Sequence, residues 1–251
     1  MARILLLIPH PDDEVVGAAA TITRRRAAGD EFFSLYLTDG IPSAEQLWRR
    51  DRPRRAARVE RRRHEARAAA AILGIEPLAF LGFPSRALKA HLGEAGAAMK
   101  KACAGRSIDA VWVPAWEGGH QDHDVANFLA SRRADGRPVI EFAEYNRNGG
   151  AVRWNRFAEV NGTEAELRLT PDEIAAKQRL IAIYGSESAN LAGVRFEVES
   201  QRPLPAYDYA KPPHDGMLLR ERFHWVGHLF RHPRVDFEPS ASVYETLKQY
   251  R

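Results

Sequence analysis

Short, almost unbroken apolar runs alternate along this chain with longer stretches in which apolar residues recur every three or four positions. The runs at residues 4–8, 32–37, 78–81, 110–113 and 139–143 predict strands, and the stretches at about 14–28, 54–73, 88–102 and 125–133 predict helices. A strand that is apolar on both sides has to be covered on both sides. Strands of that kind separated by helices make a parallel sheet with helices on each face. The expected fold is therefore α/β, a Rossmann-like doubly wound and mainly parallel sheet. Pro53 suits the opening of the long second helix, Gly74 suits its end, and Gly29 closes the first helix.

Beyond Asn146 the pattern loosens into a turn at Gly149 and Gly150, a hairpin expected around 152–160, and a helix from Pro171 to about Tyr184. The tail from Gln201 is rich in prolines and aromatics, as in "LPAYDYAKPPHDG", a composition suited to irregular chain wrapped over a core. With no repeat, low-complexity tract or clear linker, residues 1–251 are expected to form one domain, with a core of about 1–190 and a C-terminal extension of 191–251.

Composition narrows the chemistry. No apolar run reaches the roughly 18 residues of a membrane span, and the first apolar run is too short for a secretory h-region, so a cytoplasmic protein is expected. Cys103 is the only cysteine, which excludes an internal disulfide, a CxxC pair and a thiolate-rich metal site. The formal charge is +4, with arginine concentrated at residues 49–67 in "RRDRPRRAARVERRRHEAR". Asp51, Glu60 and Glu65 are interleaved there, which suits a solvated helix face better than a phosphate-binding surface, and no nucleic-acid partner is expected. GxGxxG, GxxxxGK[ST] and GxSxG are all missing, so the fold class implies no dinucleotide, P-loop or serine-hydrolase site.

Two polar clusters fall at the carboxyl ends of predicted strands, where open parallel sheets bind ligands. The first is "HPDDE", with His10, Asp12, Asp13 and Glu14; the second is "PAWEGGHQDHD", with Glu117, His120, Asp122, His123 and Asp124. One divalent cation held by imidazole and carboxylate would compensate the negative charge of both. His10 and Asp13 can supply two ligands across the strand-to-helix turn. Asp12 can then be directed at a water as general base. The third ligand comes from His120 or His123, and the other histidine is left to stabilise an oxyanion or protonate a leaving group. His224, His228 and His232 form a rival cluster, but it carries no carboxylate and is interrupted by a glycine and closed by Pro233.

"PHPDDE" with a later "HQDH" resembles the PIG-L/LmbE superfamily of metal-dependent N-acetyl sugar deacetylases. The resemblance implies His10, Asp13 and His123 as metal ligands, Asp12 as general base, and His120 as the residue that stabilises the tetrahedral intermediate. It extends to "LYLTDG", to "RRHEARAAAAILGI", which makes Arg62 a candidate substrate contact, to "FLGFP", and to "KQRLIAIYGSES". The family often has an aspartate where this chain has Ser85. The resemblance implies zinc, with other first-row divalent ions admissible, and a small-molecule N-acetylated sugar as substrate; a homo-oligomer is left open. The alternatives are a different N-acyl substrate, such as an antibiotic or thiol conjugate, and a nucleic-acid-binding module using the arginine helix.

Overall fold

The computed structural model describes residues 1–222 and 236–250. Five parallel strands, β1 (Arg3–Ile8), β2 (Glu31–Pro42), β3 (Ile75–Ser85), β4 (Ala110–Pro114) and β5 (Val139–Phe142), lie in the order β3-β2-β1-β4-β5. After a small hairpin, β6 (Tyr145–Asn146) with β7 (Arg153–Trp154), two antiparallel strands extend the sheet to seven. These are β8 (Ala165–Arg168) and β9 (Val198–Pro203), with β9 beside β5. Strand order reverses between β1 and β4, so a crevice opens at their carboxyl ends.

The unbroken apolar run of β1 follows from its position. Leu5 and Leu7 join one core with Leu35, Val111, Met99 and Phe128; Ile4, Leu6 and Ile8 join the other with Phe32, Trp112, Val15 and Ala69. On the first face lie α3 (Leu92–Arg106) and α4 (Gln121–Arg133). Opposite them lie α1 (Asp13–Ala27), α2 (Arg55–Leu73) and α5 (Pro171–Ile183). Each fully buried aliphatic side chain contributes about 1.5–3 kcal/mol, so β1 is anchored from both sides.

Several elements differ from the sequence expectation, for identifiable reasons. The strand expected at 78–81 runs from Ile75 to Ser85, because β2 continues to Pro42 and pairs with it through three register shifts. Pro77 and Pro84 are tolerated because β3 is an edge strand. The helix expected from residue 88 begins with a 3-10 turn, Leu88–His91, since the Asp122 carboxylate captures the Arg86 and Leu88 N–H groups. The hairpin is earlier than expected, turning through Gly149 and Gly150, both with positive φ.

The extension is not wholly irregular: it supplies β9 and a C-terminal helix, Ser240–Gln249, whose Val243, Tyr244 and Leu247 enter the first core. The sequence of β9 hides its strand character because two of its buried side chains are charged. Glu199 accepts from Lys177 Nζ at 2.8 Å and from the Ala20 and Thr21 N–H groups, while Arg202 Nε donates to Glu141 at 2.7 Å. His224, His228 and His232 lie outside the described residues. Among the described residues no helix is long and apolar enough to cross a membrane.

Candidate functional site

The loop after β1 is fixed from the neighbouring strand. Pro9 O accepts from Thr38 N at 3.0 Å and from Thr38 Oγ1 at 2.8 Å, and Thr38 Oγ1 in turn accepts from Gly40 N at 3.1 Å. At the start of α1 the Asp12 carbonyl accepts from Val15 and Val16 N–H, but its carboxylate caps nothing. Asp12 has φ 140°, a conformation rare outside glycine. Such a residue costs about 1–3 kcal/mol and persists only where its surroundings impose it. Glu14 instead ties the loop down, its carboxylate taking Asp12 N at 3.4 Å and the hydroxyls of Tyr36 at 3.1 Å and Tyr184 at 2.7 Å. Burial pushes its pKa up to about 7, and those hydroxyls resist the rise.

The loop after β4 folds around two acids. Asp124 accepts from Glu117 and Gly118 N–H; Glu117 accepts from Glu144 N, Tyr145 N and Asn146 Nδ2. Glu117 therefore ties this loop to the chain after β5. Gly119 is required by close approach, since a Cβ there would come within 2.3 Å of the Tyr145 carbonyl oxygen. His120 caps α4, its Nδ1 accepting from Asp122 N at 3.1 Å. A neutral His120 then carries its proton on Nε2. Burial, followed by the neighbouring His10, holds the His120 pKa well below the ordinary histidine value.

These two loops meet. His10 Nδ1 lies 3.1 Å from His123 Nε2, His123 Nε2 lies 3.3 Å from Asp13 Oδ1, and His10 Nδ1 lies 3.5 Å from Asp13 Oδ2. Ligands about 2.0–2.1 Å from a tetrahedral zinc are separated by roughly 3.3–3.4 Å, close to the two separations at His123 Nε2, 3.1 Å to His10 Nδ1 and 3.3 Å to Asp13 Oδ1, so the donor set fits such an ion. Asp13 Oδ2 already accepts from His10 N at 2.7 Å, which leaves Oδ1 as its free donor. Burial works against a charge on His10, yet Asp13 and Asp122 lift its pKa to about 10. This carboxylate-rich crevice favours a cation.

A second group, His10, His120 and Asp122, is also close enough to share an ion. Two of its members, Asp122 and His120, are already engaged by hydrogen bonds. Asp122 accepts from Arg86 N at 2.6 Å, Leu88 N at 3.3 Å and Ser85 Oγ at 3.3 Å, and faces His10 Nε2 at 3.0 Å. His120 Nδ1 is already taken by Asp122 N. The ring of His120 instead stands edge-on to His10, centroids 4.4 Å apart, at the rim of the His10, Asp13 and His123 group.

Arg62 is buried, only 4% of its side chain being exposed. Its guanidinium pairs with Asp12 Oδ2 at 3.0 Å and Glu187 Oε1 at 2.7 Å, and donates to Pro11 O at 2.7 Å. Gly40 makes room for it, because a Cβ there would press on the guanidinium carbon at 2.7 Å. Burial raises the Asp12 pKa well above the usual carboxylate range, and Arg62 opposes the rise. Sequence reasoning assigned no role to three further residues: Asp122, which braces His10; Glu144, buried 3.9 Å from His123 Nδ1; and Tyr145, whose hydroxyl lies 3.5 Å from His123 Nε2. Asp122 was visible inside "HQDH", whereas the other two carry no motif.

The family model described as PIG-L: GlcNAc-PI de-N-acetylase matches residues 5–134, a span that includes both loops. Comparison with curated proteins finds no match. Among solved structures, a deacetylase of the teicoplanin biosynthesis pathway superposes with a TM-score of 0.62 at 18% identity, covering 80% of this chain and 97% of that one. The N,N'-diacetylchitobiose deacetylase of Pyrococcus horikoshii gives a TM-score of 0.56 at 18% identity, covering 85% and 88%. GalB, the 4-carboxy-2-hydroxymuconate hydratase of Pseudomonas putida, gives 0.55 at 19%, covering 86% and 100%. At these identities the likenesses show the fold, which deacetylases share with a hydratase; the chemistry resides in the site.

Proposed function

The chain belongs to the PIG-L (GlcNAc-PI de-N-acetylase) family, and on that premise we propose that it is a metal-dependent N-deacetylase. The proposed reaction hydrolyses the acetamide of an N-acetylated amino sugar or sugar conjugate to acetate and a free amine. The deacetylases among the structural neighbours support the reading. The observation that carries it is the convergence of His10, Asp13 and His123 beside an aspartate that caps nothing. Those three residues would hold the ion, with zinc the first candidate; when bound, it supplies Lewis acidity that polarises an amide carbonyl and makes water easier to deprotonate.

The remaining steps belong to the chain's own side chains. Asp12, held by Arg62, accepts the proton of the attacking water. His120, neutral with its proton on Nε2, donates to the oxyanion of the tetrahedral intermediate, because its Nδ1 is committed to the α4 cap. The proton gathered by Asp12, or the one on His120, passes to the departing amine. In the proposed assignment Arg62 positions the base and does not bind substrate.

The test is acetate release from a panel of N-acetylglucosamine conjugates, with metal analysis of the same sample. Asp12→Ala should keep its metal while activity falls by about 100-fold or more, the scale of general base catalysis. Loss of metal with retained turnover would contradict the assignment. A second reading, an N-acyl group on a non-sugar small molecule, is favoured by Ser85. Its hydroxyl is turned inward to Asp122 and His10 and is spent before it could meet a sugar.

A further inference from the structure

Glu144 is fully buried, and neither of its carboxyl oxygens has a hydrogen-bond partner among the described residues. Leaving a buried carboxyl group without partners costs free energy, so its retention calls for a cause. His123 Nδ1 lies 3.9 Å from it and, among the described residues, is likewise buried without a hydrogen-bond partner, whereas the other charged neighbours, Asp13, Glu117, Asp12 and Glu14, are acids. The other nitrogen of the same ring, Nε2, faces Asp13 Oδ1 and His10 Nδ1. The backbone of Glu144 is secured without its side chain, because Glu144 N donates to Glu117 Oε1 and the Glu144 carbonyl accepts from Asn155 N, both at 2.8 Å. Gly17 leaves room chiefly for the Phe142 ring, which a Cβ there would meet at 2.3 Å, and beside it for Glu144 Cγ at 3.1 Å.

We propose that Glu144 is a positioning residue: it accepts the Nδ1–H of His123 and thereby fixes the tautomer and ring orientation that turn the Nε2 lone pair toward Asp13 and His10. A histidine that binds a metal through one nitrogen needs its other N–H committed, and a carboxylate behind the ring does this while raising ligand basicity. The two unpartnered buried groups then explain each other, each being the missing partner of the other. The inference rests on the metal-binding reading above.

Chelator-competition titration of zinc into metal-free wild type, Glu144→Leu and Glu144→Gln tests it, with thermal melting of each metal-free protein alongside. Glu144→Leu should bind zinc about 10–100-fold more weakly, the usual cost of losing such a partner. Its metal-free melting temperature should be unchanged or raised, because an unpartnered polar group has been replaced by an apolar one. Glu144→Gln keeps an acceptor oxygen at the same reach and should recover most of the lost affinity. Zinc affinity in Glu144→Leu within twofold of wild type would overturn the proposal, as would a large fall in its metal-free melting temperature. If wild type itself fails to bind zinc, the metal-binding reading fails instead, and the two failures are distinguishable.

Discussion

Replacing Arg62 with methionine removes the cation that joins the first loop to α2 and to the turn holding Glu187. Its guanidinium contacts Asp12 at 3.0 Å, Glu187 at 2.7 Å and the Pro11 carbonyl at 2.7 Å, with 4% of the side chain exposed, so solvent screens little of the interaction. Deleting one member of a buried pair leaves the other charges uncompensated and costs about 3–5 kcal/mol. For a chain of this length each kcal/mol lowers the melting temperature by about 2–4 °C, which gives a fall of roughly 6–20 °C. Activity should fall as well, chiefly in kcat, because Asp12 loses its anchor and its pKa rises further as Arg62 no longer opposes burial. Arg62→Lys, which keeps the charge but cannot span all three partners, should fall between the two. Thermal melts and steady-state kinetics on the same preparations separate the roles. A melting temperature within about 2 °C of wild type, below the shift expected of a lost buried pair, with a raised KM and unchanged kcat would refute this reasoning and restore Arg62 as a substrate contact.

Three other outcomes can be checked. His123→Ala should deplete bound metal; unchanged stoichiometry by elemental analysis would move the ligand role to His120. Gly119→Ala should destabilise by about 1–3 kcal/mol, the range for overpacking, because its Cβ meets the Tyr145 carbonyl oxygen at 2.3 Å; a wild-type urea midpoint would contradict the close approach. The Arg24 guanidinium holds the Glu173 carboxyl down at about 2, so its ionised form favours the folded state. That contribution is complete above the ordinary value near 4.5 and fades as pH falls through about 2. Glu173→Gln should therefore have a lower urea midpoint than wild type at pH 6, with the gap closing on acidification; a gap independent of pH would count against the Arg24 pairing.

The sequence made β1 and its loop legible because a strand buried on both faces reads as a continuous apolar run, and the run ends at the polar motif. "HQDH" was legible for the same reason, standing where β4 stops. Periodicity failed where burial was achieved by charge pairing. Lys177 and Glu199 neutralise each other inside the protein, as do Arg202 and Glu141, so β9 reads as a polar tail. The position of Arg62 was visible, but its task was not. Its partners Asp12 and Glu187 lie far apart along the chain and come together only when α2 packs over the first loop. Glu144 gives no signal at all, since one acid after a strand is ordinary until the fold sets it behind a histidine and, among the described residues, without a hydrogen-bond partner.

The most direct measurement is an anomalous-diffraction map from crystals grown with zinc. A single peak about 2.0–2.2 Å from His10 Nδ1, an Asp13 carboxylate oxygen and His123 Nε2 is expected, in keeping with zinc–nitrogen and zinc–oxygen bond lengths. A peak shared by His10, His120 and Asp122, or no peak between the two loops, would contradict the proposed metal centre.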